Sequence, residues 1–401
     1  MDVTRHPVAS PPVTLPDAKW RHWPGLDRLA EVLGAAAGEA RFVGGAVRDT
    51  LLGIPVADVD IATCHAPADV MTRLKAAGIR AVPTGLAHGT VTAILGDRPV
   101  EVTTLRRDLS TDGRHAVVAF TDDWRADAGR RDFTMNALYA DPASGTVYDW
   151  FDGLADLAAG RVRFIGDPLQ RIAEDHLRIL RFFRFHARFG DRIDDAGLAA
   201  CAARANDLMA LSRERIAAEL LKLLVARAAV SVTQLMVEHG ILRAVLPEID
   251  ATGAARLADL AAREEATGIA PNPIRRLAAL LPPEAADPVG ARLKLSNQQR
   301  RRLAAATAGP GPEGPYALAY RAGTESAVDR LLLAGEDPGP IRDFTPPRLP
   351  ISGGALVARG LDRGPAVAAA LHRVEDRWIA EGFPDRARVD RIADEVAGLT
   401  L

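Results

Sequence analysis

The sequence predicts a protein with an α/β head followed by an all-helical remainder. Between residue 41 and about residue 165, short β-type runs alternate with helical stretches, which is typical of a small mixed sheet with packed helices. From about residue 166 onward, apolar residues recur with the helical period and no convincing strand hairpin follows. The composition, 48% hydrophobic and 25% charged over 401 residues, excludes collagen-like, disordered and disulfide-scaffold classes.

Glycines and a proline mark the ends of the predicted elements in the head. A strand runs into the double glycine at 44–45, a helix follows as far as Gly53, and a later helix begins at Pro67 and ends at Gly78. The predicted elements are strands over 41–45, 56–63, 79–83, 89–95 and 100–105, and helices over 46–53 and 67–78.

The remainder is interrupted by two joints rich in Pro and Gly, 309–315 and 337–354, which are candidate boundaries. The segments with helical period are 168–189, 212–227, 230–240, 254–265, 273–281, 296–308, 316–334 and 365–381. At the other end of the chain, residues 1–24 are Pro-rich and predict a disordered lead-in.

Several absences bound the cellular context. No run of 18 apolar residues occurs, which predicts a protein without a membrane span. The N-terminus lacks the apolar region of a signal peptide, and two distant cysteines, Cys64 and Cys201, are too few for a disulfide framework. These features predict a cytoplasmic protein, and a net charge of −2 gives no sign of a nucleic-acid partner.

A double glycine lies where the first strand meets the first helix. Glycine at such a place lets backbone N–H groups approach a phosphate, and the helix N-terminus favours negative charge. Gly44 and Gly45 are therefore candidate phosphate-binding residues, with Arg48 one turn into the helix. For this motif taken alone, a tight turn without a ligand is the alternative.

Two aspartates follow in the next strand. Asp58 and Asp60 flank an apolar residue, so their carboxylates point to one face about 7 Å apart. Such acids raise each other's pKa unless a cation binds between them, and Mg²⁺ takes carboxylate and phosphate oxygens together. Glu101, in a later strand, would add a third carboxylate if the two strands are neighbours, as a two-metal phosphoryl-transfer site requires. An idle, exposed D-x-D is the alternative.

The run GGAVRDTLLG followed by D-x-D resembles the head of the class II tRNA CCA-adding enzymes and bacterial poly(A) polymerases. The resemblance implies a polymerase-β-type nucleotidyltransferase head followed by an all-helical neck, body and tail. It places the head at 25–165, the neck at 166–228, the body at 229–309 and an RNA-binding tail at 310–401. It also implies that Asp58, Asp60 and Glu101 are catalytic and that Asp58 and Asp60 bind Mg²⁺.

The segment RRDFTMNAL, 130–138, resembles the second motif of that family. The resemblance implies that Arg131 contacts the triphosphate and that Asp132 and Asn136 address the sugar hydroxyls. A helix N-cap by Asp132 beside a surface arginine is the alternative.

A charged amphipathic helix is predicted over 167–190. The resemblance implies that Asp175, Arg178, Arg181 and Arg184, spaced at i+3, read the incoming base in place of a template. An aspartate accepts from the exocyclic amine of cytosine or adenine, and an arginine donates to the neighbouring ring nitrogen. Asp175 and Arg178 are the predicted selectors, with the other two shaping the pocket. An ordinary helical ion-pair ladder is the alternative.

Three consecutive arginines lie just inside a predicted helix that Ser296 would cap. Local positive patches make phosphate contacts even where the net charge is near zero, so Arg300, Arg301 and Arg302 are candidate RNA-binding residues. A solvated helix face is the alternative. The helix over 212–224 is predicted to be structural, with Arg215 and Glu219 forming an i+4 pair.

The resemblance therefore implies a template-independent enzyme that adds CCA to the 3′ end of tRNA from CTP and ATP, releasing pyrophosphate. A same-fold enzyme that adds only A or only CC, or a poly(A) polymerase, is the nearest alternative. A catalytically silent RNA-binding protein is the alternative from another class, although D-x-D and R-R-D are both present. The sequence leaves the oligomeric state open.

Overall fold

The computed structural model describes residues 13–86, 89–111 and 116–398. Two compact units divide the chain. The first unit comprises residues up to Glu219 together with 226–228 and 239–245, and the second unit comprises 220–225, 229–238 and 246–401. The predicted division into neck, body and tail stays a prediction.

The first unit is built on a seven-stranded mixed sheet with the order β3-β4-β5-β2-β1-β8-β9, and a separate β6–β7 ribbon. Strand β2 pairs with β1 antiparallel and with β5 parallel, so the two strands that carry the candidate acids are neighbours, as predicted. The strands are β1 (Ala40–Val43), β2 (Val59–Thr63), β3 (Arg80–Gly85), β4 (Thr90–Leu95), β5 (Arg98–Thr104), β6 (Arg106–Thr111), β7 (Ala116–Phe120), β8 (Tyr139–Ala140) and β9 (Val147–Tyr148).

Helices cover this sheet and continue beyond it. They are α1 (Leu26–Val32), α2 (Gly45–Leu51), α3 (Pro67–Ala76), α4 (Trp124–Gly129), α5 (Gly153–Ala158), α6 (Pro168–Glu174), α7 (Arg178–Phe189), α8 (Asp195–Ala203) and α9 (Arg213–Leu224). The first half of β2 alternates, with Val59 and Ile61 buried and Asp60 half-buried on the other face, whereas Ala62 and Thr63 are both buried. Rings of Phe133, Phe164 and Phe182 pack together beneath α7.

The N-terminal stretch corrects one prediction. Residues 13–24 are packed on the first unit and are not a disordered lead-in, since Leu15 and Trp20 are almost fully buried. The Trp20 Nε1–H donates to Thr50 Oγ1 at 2.8 Å, and the Leu15 N–H donates to the Gly145 carbonyl at 2.7 Å. The scattered prolines of this stretch favoured a prediction of disorder, although Leu15 and Trp20 are apolar residues that pack on the unit. Residues 1–12 lie outside the described part of the chain.

The amphipathic segment 167–190 is also not one helix. Helix α6 ends at Glu174, Asp175 adopts an extended conformation (φ −151°, ψ 106°), and α7 begins at Arg178. The side chain of Asp175 accepts from the Leu177 N–H at 3.1 Å, an Asx-type bond that competes with continued helix. The predicted i+3 spacing therefore holds only from Arg178 onward.

The second unit is helical throughout its described residues. Its further helices are α10 (Ala229–Glu238), α11 (Ala251–Thr267), α12 (Pro273–Leu280), α13 (Ala286–Arg292), α14 (Asn297–Ala306), α15 (Pro315–Ala322), α16 (Thr324–Ala334), α17 (Gly353–Val357), α18 (Pro365–Ala380) and α19 (Arg386–Gly398). The predicted helix over 316–334 is split at Gly323, whose φ of +83° a non-glycine residue rarely adopts. Across the described residues, no helix is both long enough and apolar enough to span a bilayer.

Candidate active site

Three carboxylates lie at one edge of the central sheet. Asp60 on β2 is the direct register partner of Glu101 on β5, and Asp58 precedes Asp60 by two residues. Asp58 and Glu101 are exposed and Asp60 is half-buried. Within the part of the chain that the structure describes, none of the three carboxylates is engaged in a hydrogen bond or an ion pair, which leaves their oxygens available to a cation.

The electrostatics of Asp60 fit a cation site. Burial, with the negative charges of Glu101 and Asp58, outweighs the opposing effect of Arg131 and raises the pKa of Asp60 to about 6. A set of three carboxylates is the hard oxygen donor set that divalent cations of the Mg²⁺ type prefer. The chemistry of these residues therefore suits a divalent metal, although the oxygens of the three carboxylates do not all lie within 4.8 Å of one another in this structure.

We predict that Asp60 makes stability depend on pH in the metal-free protein. Its folded-state pKa of about 6 exceeds the ordinary value of 3.8, so the folded protein holds a proton between these values that the unfolded chain has lost. The free energy of unfolding should therefore fall as pH rises through this window. Asp60→Asn should raise the free energy of unfolding by on the order of 1–2 kcal/mol at pH 7, and by less near pH 5.

Urea denaturation of chelator-treated protein at both pH values measures this difference. Asp97→Asn, at an exposed turn between β4 and β5, is the matched control and should leave stability unchanged. An equal effect of Asp60→Asn at pH 5 and pH 7 would contradict the assigned pKa.

The double glycine forms the turn between β1 and α2. Gly44 has φ +66° and ψ −120°, and a Cβ there would lie 3.4 Å from Arg131 Nη1 and 3.6 Å from the Asn136 carbonyl oxygen. These are ordinary van der Waals distances, so it is the positive φ that favours glycine here. The Gly44 N–H donates to the Leu138 carbonyl at 3.0 Å, so the N–H groups available to a phosphate begin at Gly45, in the first turn of α2.

Arg131 is held beside this turn by residues that the sequence interpretation did not single out. Its Nε donates to the Tyr139 hydroxyl at 3.0 Å and its Nη2 donates to Asp127 Oδ2 at 3.3 Å. Burial opposes the charge on Asp127, but Arg131, Arg130 and the hydroxyl of Tyr139 outweigh it and lower the pKa of Asp127 to about 2. The i,i+4 spacing of Asp127 and Arg131 was the signal available in the sequence.

Arg48 lies beside Gly45, where it was predicted, but other residues engage its guanidinium. It is only 5% exposed, its Nε donates to Asp49 Oδ1 at 2.8 Å, and its guanidinium lies 4.3 Å from the centre of the Phe189 ring. Another of its N–H groups donates to the Asn136 side-chain oxygen. The guanidinium of Arg48 is therefore buried and engaged in this structure, and its contact with a phosphate stays a prediction.

Asp132 and Asn136 are likewise buried and mutually bonded. The Asn136 Nδ2 donates to Asp132 Oδ1 at 2.9 Å, and Arg181 on α7 donates from Nε and Nη2 to Asp132 Oδ2 at 2.8 and 2.5 Å. A continuous chain of polar contacts thus joins α2 to α7 through Arg48, Asn136, Asp132 and Arg181. The predicted sugar contacts are not available in this arrangement without exchange of these partners.

The four predicted base-reading residues differ in how much of their hydrogen-bonding capacity stays available to a ligand. Arg178 donates to Glu174 Oε2 at 2.6 Å, to the Arg171 carbonyl at 2.9 Å and to the Arg130 carbonyl at 3.0 Å. A guanidinium has five N–H donors, so two of them stay available on a firmly held group.

The partners of Asp175 and Arg184 are the finding that the sequence interpretation missed. Arg215 on α9 donates to Asp175 at 2.9 and 3.1 Å, and Arg184 donates to Glu219, also on α9. The predicted Arg215–Glu219 pair is therefore wrong, because each residue is bound to the base-reading segment instead. The side chains of Asp175 and Arg181 stay about one-third exposed, at 32% and 31%, whereas those of Arg178 and Arg184 are 11% exposed.

The arginine triplet in the second unit is not a uniform patch. Arg302 donates from Nε to Asp329 Oδ2 at 2.7 Å and also contacts Glu325. Arg300 pairs with Asp287 at 2.8 Å, and Arg301 is exposed. Arg302 on α14 is therefore engaged by acids of the same unit, whereas Arg301 is exposed, and RNA binding by the triplet stays a prediction.

We predict opposite phenotypes for the two neighbours. Arg302→Ala should destabilise the protein by about 2–3 kcal/mol because it removes a partner of the fully buried Asp329. Arg301→Ala should leave stability unchanged. It should reduce the slope of log Kd for tRNA against log salt concentration by about one, the contribution of one phosphate contact. Thermal unfolding and filter binding at several salt concentrations measure the two effects. Equal effects of the two substitutions on stability and on tRNA binding would contradict the separate roles assigned to Arg302 and Arg301.

The head as a whole defines a class of protein, the nucleotidyltransferases with a polymerase-type head. Residues 40–163 match the family described as "Poly A polymerase head domain", and residues 192–252 match "Probable RNA and SrmB- binding site of polymerase A". The chain is 36% identical over 382 residues to CCA tRNA nucleotidyltransferase 1, mitochondrial, of Mus musculus, covering 90% of this chain and 87% of that protein. The chain belongs to the CCA tRNA nucleotidyltransferase family.

Two further relatives agree. The chain is 33% identical over 374 residues to the CCA-adding enzyme of Lacticaseibacillus paracasei, covering 88% of this chain and 91% of the relative. The crystal structure of the Bacillus stearothermophilus CCA-adding enzyme in complex with CTP matches with a TM-score of 0.72 and 30% identity, over 90% of this chain and 93% of that chain. The predicted head and helical remainder are thereby confirmed.

The comparison with relatives also shows that the predicted cytoplasmic location is wrong. The Mus musculus relative is named a mitochondrial enzyme, as are those from Homo sapiens and Danio rerio. The inference rested on features missing from the N-terminal residues, and such absences do not identify a compartment.

Proposed function

We propose that this chain adds C, C and A to the 3′ end of tRNA, using CTP and ATP and releasing pyrophosphate. The observation that carries the proposal is the catalytic edge of the head. There Asp58 and Asp60 adjoin Glu101 on the neighbouring strand, and the charge of Arg131 acts on Asp60. This edge occurs in a chain that shares its family with CCA tRNA nucleotidyltransferases.

Each group at this edge has a role that suits its chemistry. Asp58 and Asp60 would hold Mg²⁺, which when bound activates an attacking hydroxyl and stabilises the charge of the triphosphate. Glu101, opposite Asp60, would accept the proton of the RNA 3′ hydroxyl. Arg131 would stabilise negative charge on the triphosphate beside the N–H groups that begin at Gly45.

Base choice is proposed for the start of α7 and the residue before it. Asp175 offers a carboxylate to an exocyclic amine, and Arg178 offers its two remaining N–H donors to a ring nitrogen. Cytosine and adenine present this pattern, whereas uracil and guanine present the reverse and would leave both groups unpaired. Arg181 and Arg184 would shape the pocket from the same helix.

Stepwise extension of tRNA tests the proposal directly. A transcript that ends at the discriminator nucleotide should gain two C residues with CTP alone, nothing with ATP alone, and CCA with both. Transcripts that already end in C or in CC, incubated with ATP and CTP separately, resolve each step. Addition of A to the bare discriminator end, or repeated addition of A beyond the first, would replace the proposal by an A-adding enzyme or a poly(A) polymerase.

A further inference from the structure

Three residues of metal-ligating type meet at the end of β1 and β2 that is remote from the catalytic edge. Glu39 immediately precedes β1, and Cys64 and His65 immediately follow β2. One potential ligand atom from each residue lies within 4.8 Å of the other two, and this is the only such group of three among the residues the structure describes.

The backbone around these residues is fixed by a set of hydrogen bonds. The Cys64 N–H donates to the Glu39 carbonyl at 3.1 Å, and the Thr63 hydroxyl donates to the same carbonyl at 2.8 Å. The Thr104 hydroxyl, on β5, donates to the His65 carbonyl at 2.8 Å. The three ligand-bearing residues are therefore held together by the sheet itself, which reduces the entropy lost on binding an ion.

The side chain of His65 contacts the Glu39 carboxylate within the group, but the contact does not have the geometry of a hydrogen bond. The imidazole of His65 is only 11% exposed, and its buried Nε2 has no hydrogen-bond partner among the described residues, although it lies 3.3 Å from Glu39 Oε2. A buried polar atom of this kind carries a free-energy penalty unless a ligand satisfies it. A cation bound between Nε2 and the carboxylate would do so.

The charges around Cys64 are mainly negative, which favours the binding of a cation. Burial, then the negative charge of Glu39, raise the pKa of the Cys64 thiol, with a smaller contribution from Asp122, while a backbone hydrogen bond and Arg73 act in the opposite direction. A dipositive ion with a thiolate and a carboxylate would be close to neutral as a unit.

We infer that Glu39, Cys64 and His65 form a site for a transition-metal ion of the Zn²⁺ type. A thiolate, an imidazole and a carboxylate are the ligands that Zn²⁺ takes in proteins, whereas Mg²⁺ takes oxygen alone. Three protein ligands leave the fourth position of a tetrahedral ion for water. Because Cys64 follows Asp60 by four residues of extended chain, roughly 13 Å away, this ion is separate from the catalytic one and acts as a clip between β1 and β2.

Cobalt spectroscopy tests the inference with the intact protein. Chelator-treated protein, in excess Mg²⁺ to occupy the catalytic carboxylates, is titrated with Co²⁺ and then with Zn²⁺. The expected result is one equivalent of Co²⁺ with a thiolate charge-transfer band that Zn²⁺ removes. Cys64→Ala and His65→Ala should each weaken metal binding by at least about tenfold. Cys201→Ala, which removes the other cysteine in α8, should leave the band unchanged.

Two further measurements separate this site from the catalytic one. Zn²⁺ should raise the thermal midpoint of the wild type and of Cys201→Ala but not that of Cys64→Ala, and Cys64→Ala should transfer nucleotides in Mg²⁺ within about twofold of the wild-type rate. Absence of the thiolate band in the wild type would overturn the inference. So would Zn²⁺ binding that survives Cys64→Ala and His65→Ala but is lost in Asp60→Asn.

Discussion

Replacing Asp60 by asparagine is expected to lower the rate of nucleotide transfer at least about a thousandfold, while tRNA affinity stays within about twofold. The reason is that Asp60 is the register partner of Glu101 and its carboxylate interacts electrostatically with Arg131. Its loss would remove the carboxylate on which the metal and the triphosphate converge. RNA binding depends on contacts elsewhere and should not change.

The stability of the variant makes this test decisive. Asp60→Asn removes a half-buried charge and should leave the metal-free protein as stable as the wild type or more so, so that lost activity cannot be attributed to unfolding. Single-turnover transfer of labelled CTP to tRNA measures the rate. Asp97→Asn, an exposed carboxylate in the same head, should keep full activity. A fall of less than about tenfold in Asp60→Asn would show that the acid is not part of the reaction.

Replacing Asp175 by alanine is expected to lower kcat/KM for CTP and for ATP by about 10–200-fold and to narrow their advantage over UTP and GTP. A bidentate edge contact of this kind contributes about 1–3 kcal/mol of discrimination. Because Arg215 holds the Asp175 carboxylate at 2.9 Å, Arg215→Ala should give a smaller loss in the same direction. Arg178→Ala should combine lost selection with some loss of stability, since three acceptors depend on it.

A neighbouring arginine provides the control for this second experiment. Arg188 lies on the same helix, is 45% exposed and pairs with Asp49 at 3.2 Å, so Arg188→Ala should retain the preference for CTP and ATP. Steady-state rates with each of the four nucleotides measure selection, and circular dichroism confirms folding. An unchanged preference in a folded Asp175→Ala variant would show that the base is read elsewhere.

The catalytic edge was the most predictable part of the molecule. Alternating valines and acids specify which face of a strand each side chain occupies, so Asp58, Asp60 and Glu101 could be placed once β2 and β5 were taken as neighbours. Gly44 was predictable for a similar reason, because few other residues tolerate such a backbone. Local geometry determines both features.

Partner choice among the arginines was not predictable from spacing. Arg48, Arg184 and Arg302 each looked accessible in the sequence, yet each is bound to an acid or amide that is distant along the chain or on another element. Helical periodicity gives the face of a residue but not the element that packs on that face. The break at Asp175 was missed because a short side chain bonded to its own backbone ended a helix that the apolar pattern continued.

The order of strands in the central sheet has a consequence for how the chain folds as it is made. Val43 at the end of β1 pairs with Tyr139 in β8, and Gly44 donates to Leu138, so the sheet cannot close until nearly a hundred more residues have left the ribosome. At about 5–20 residues per second that delay is roughly 5–20 s. During that interval one edge of β1 has no strand beside it, and the nascent head depends on chaperones, or on its own β1–β2 pairing, to avoid aggregation.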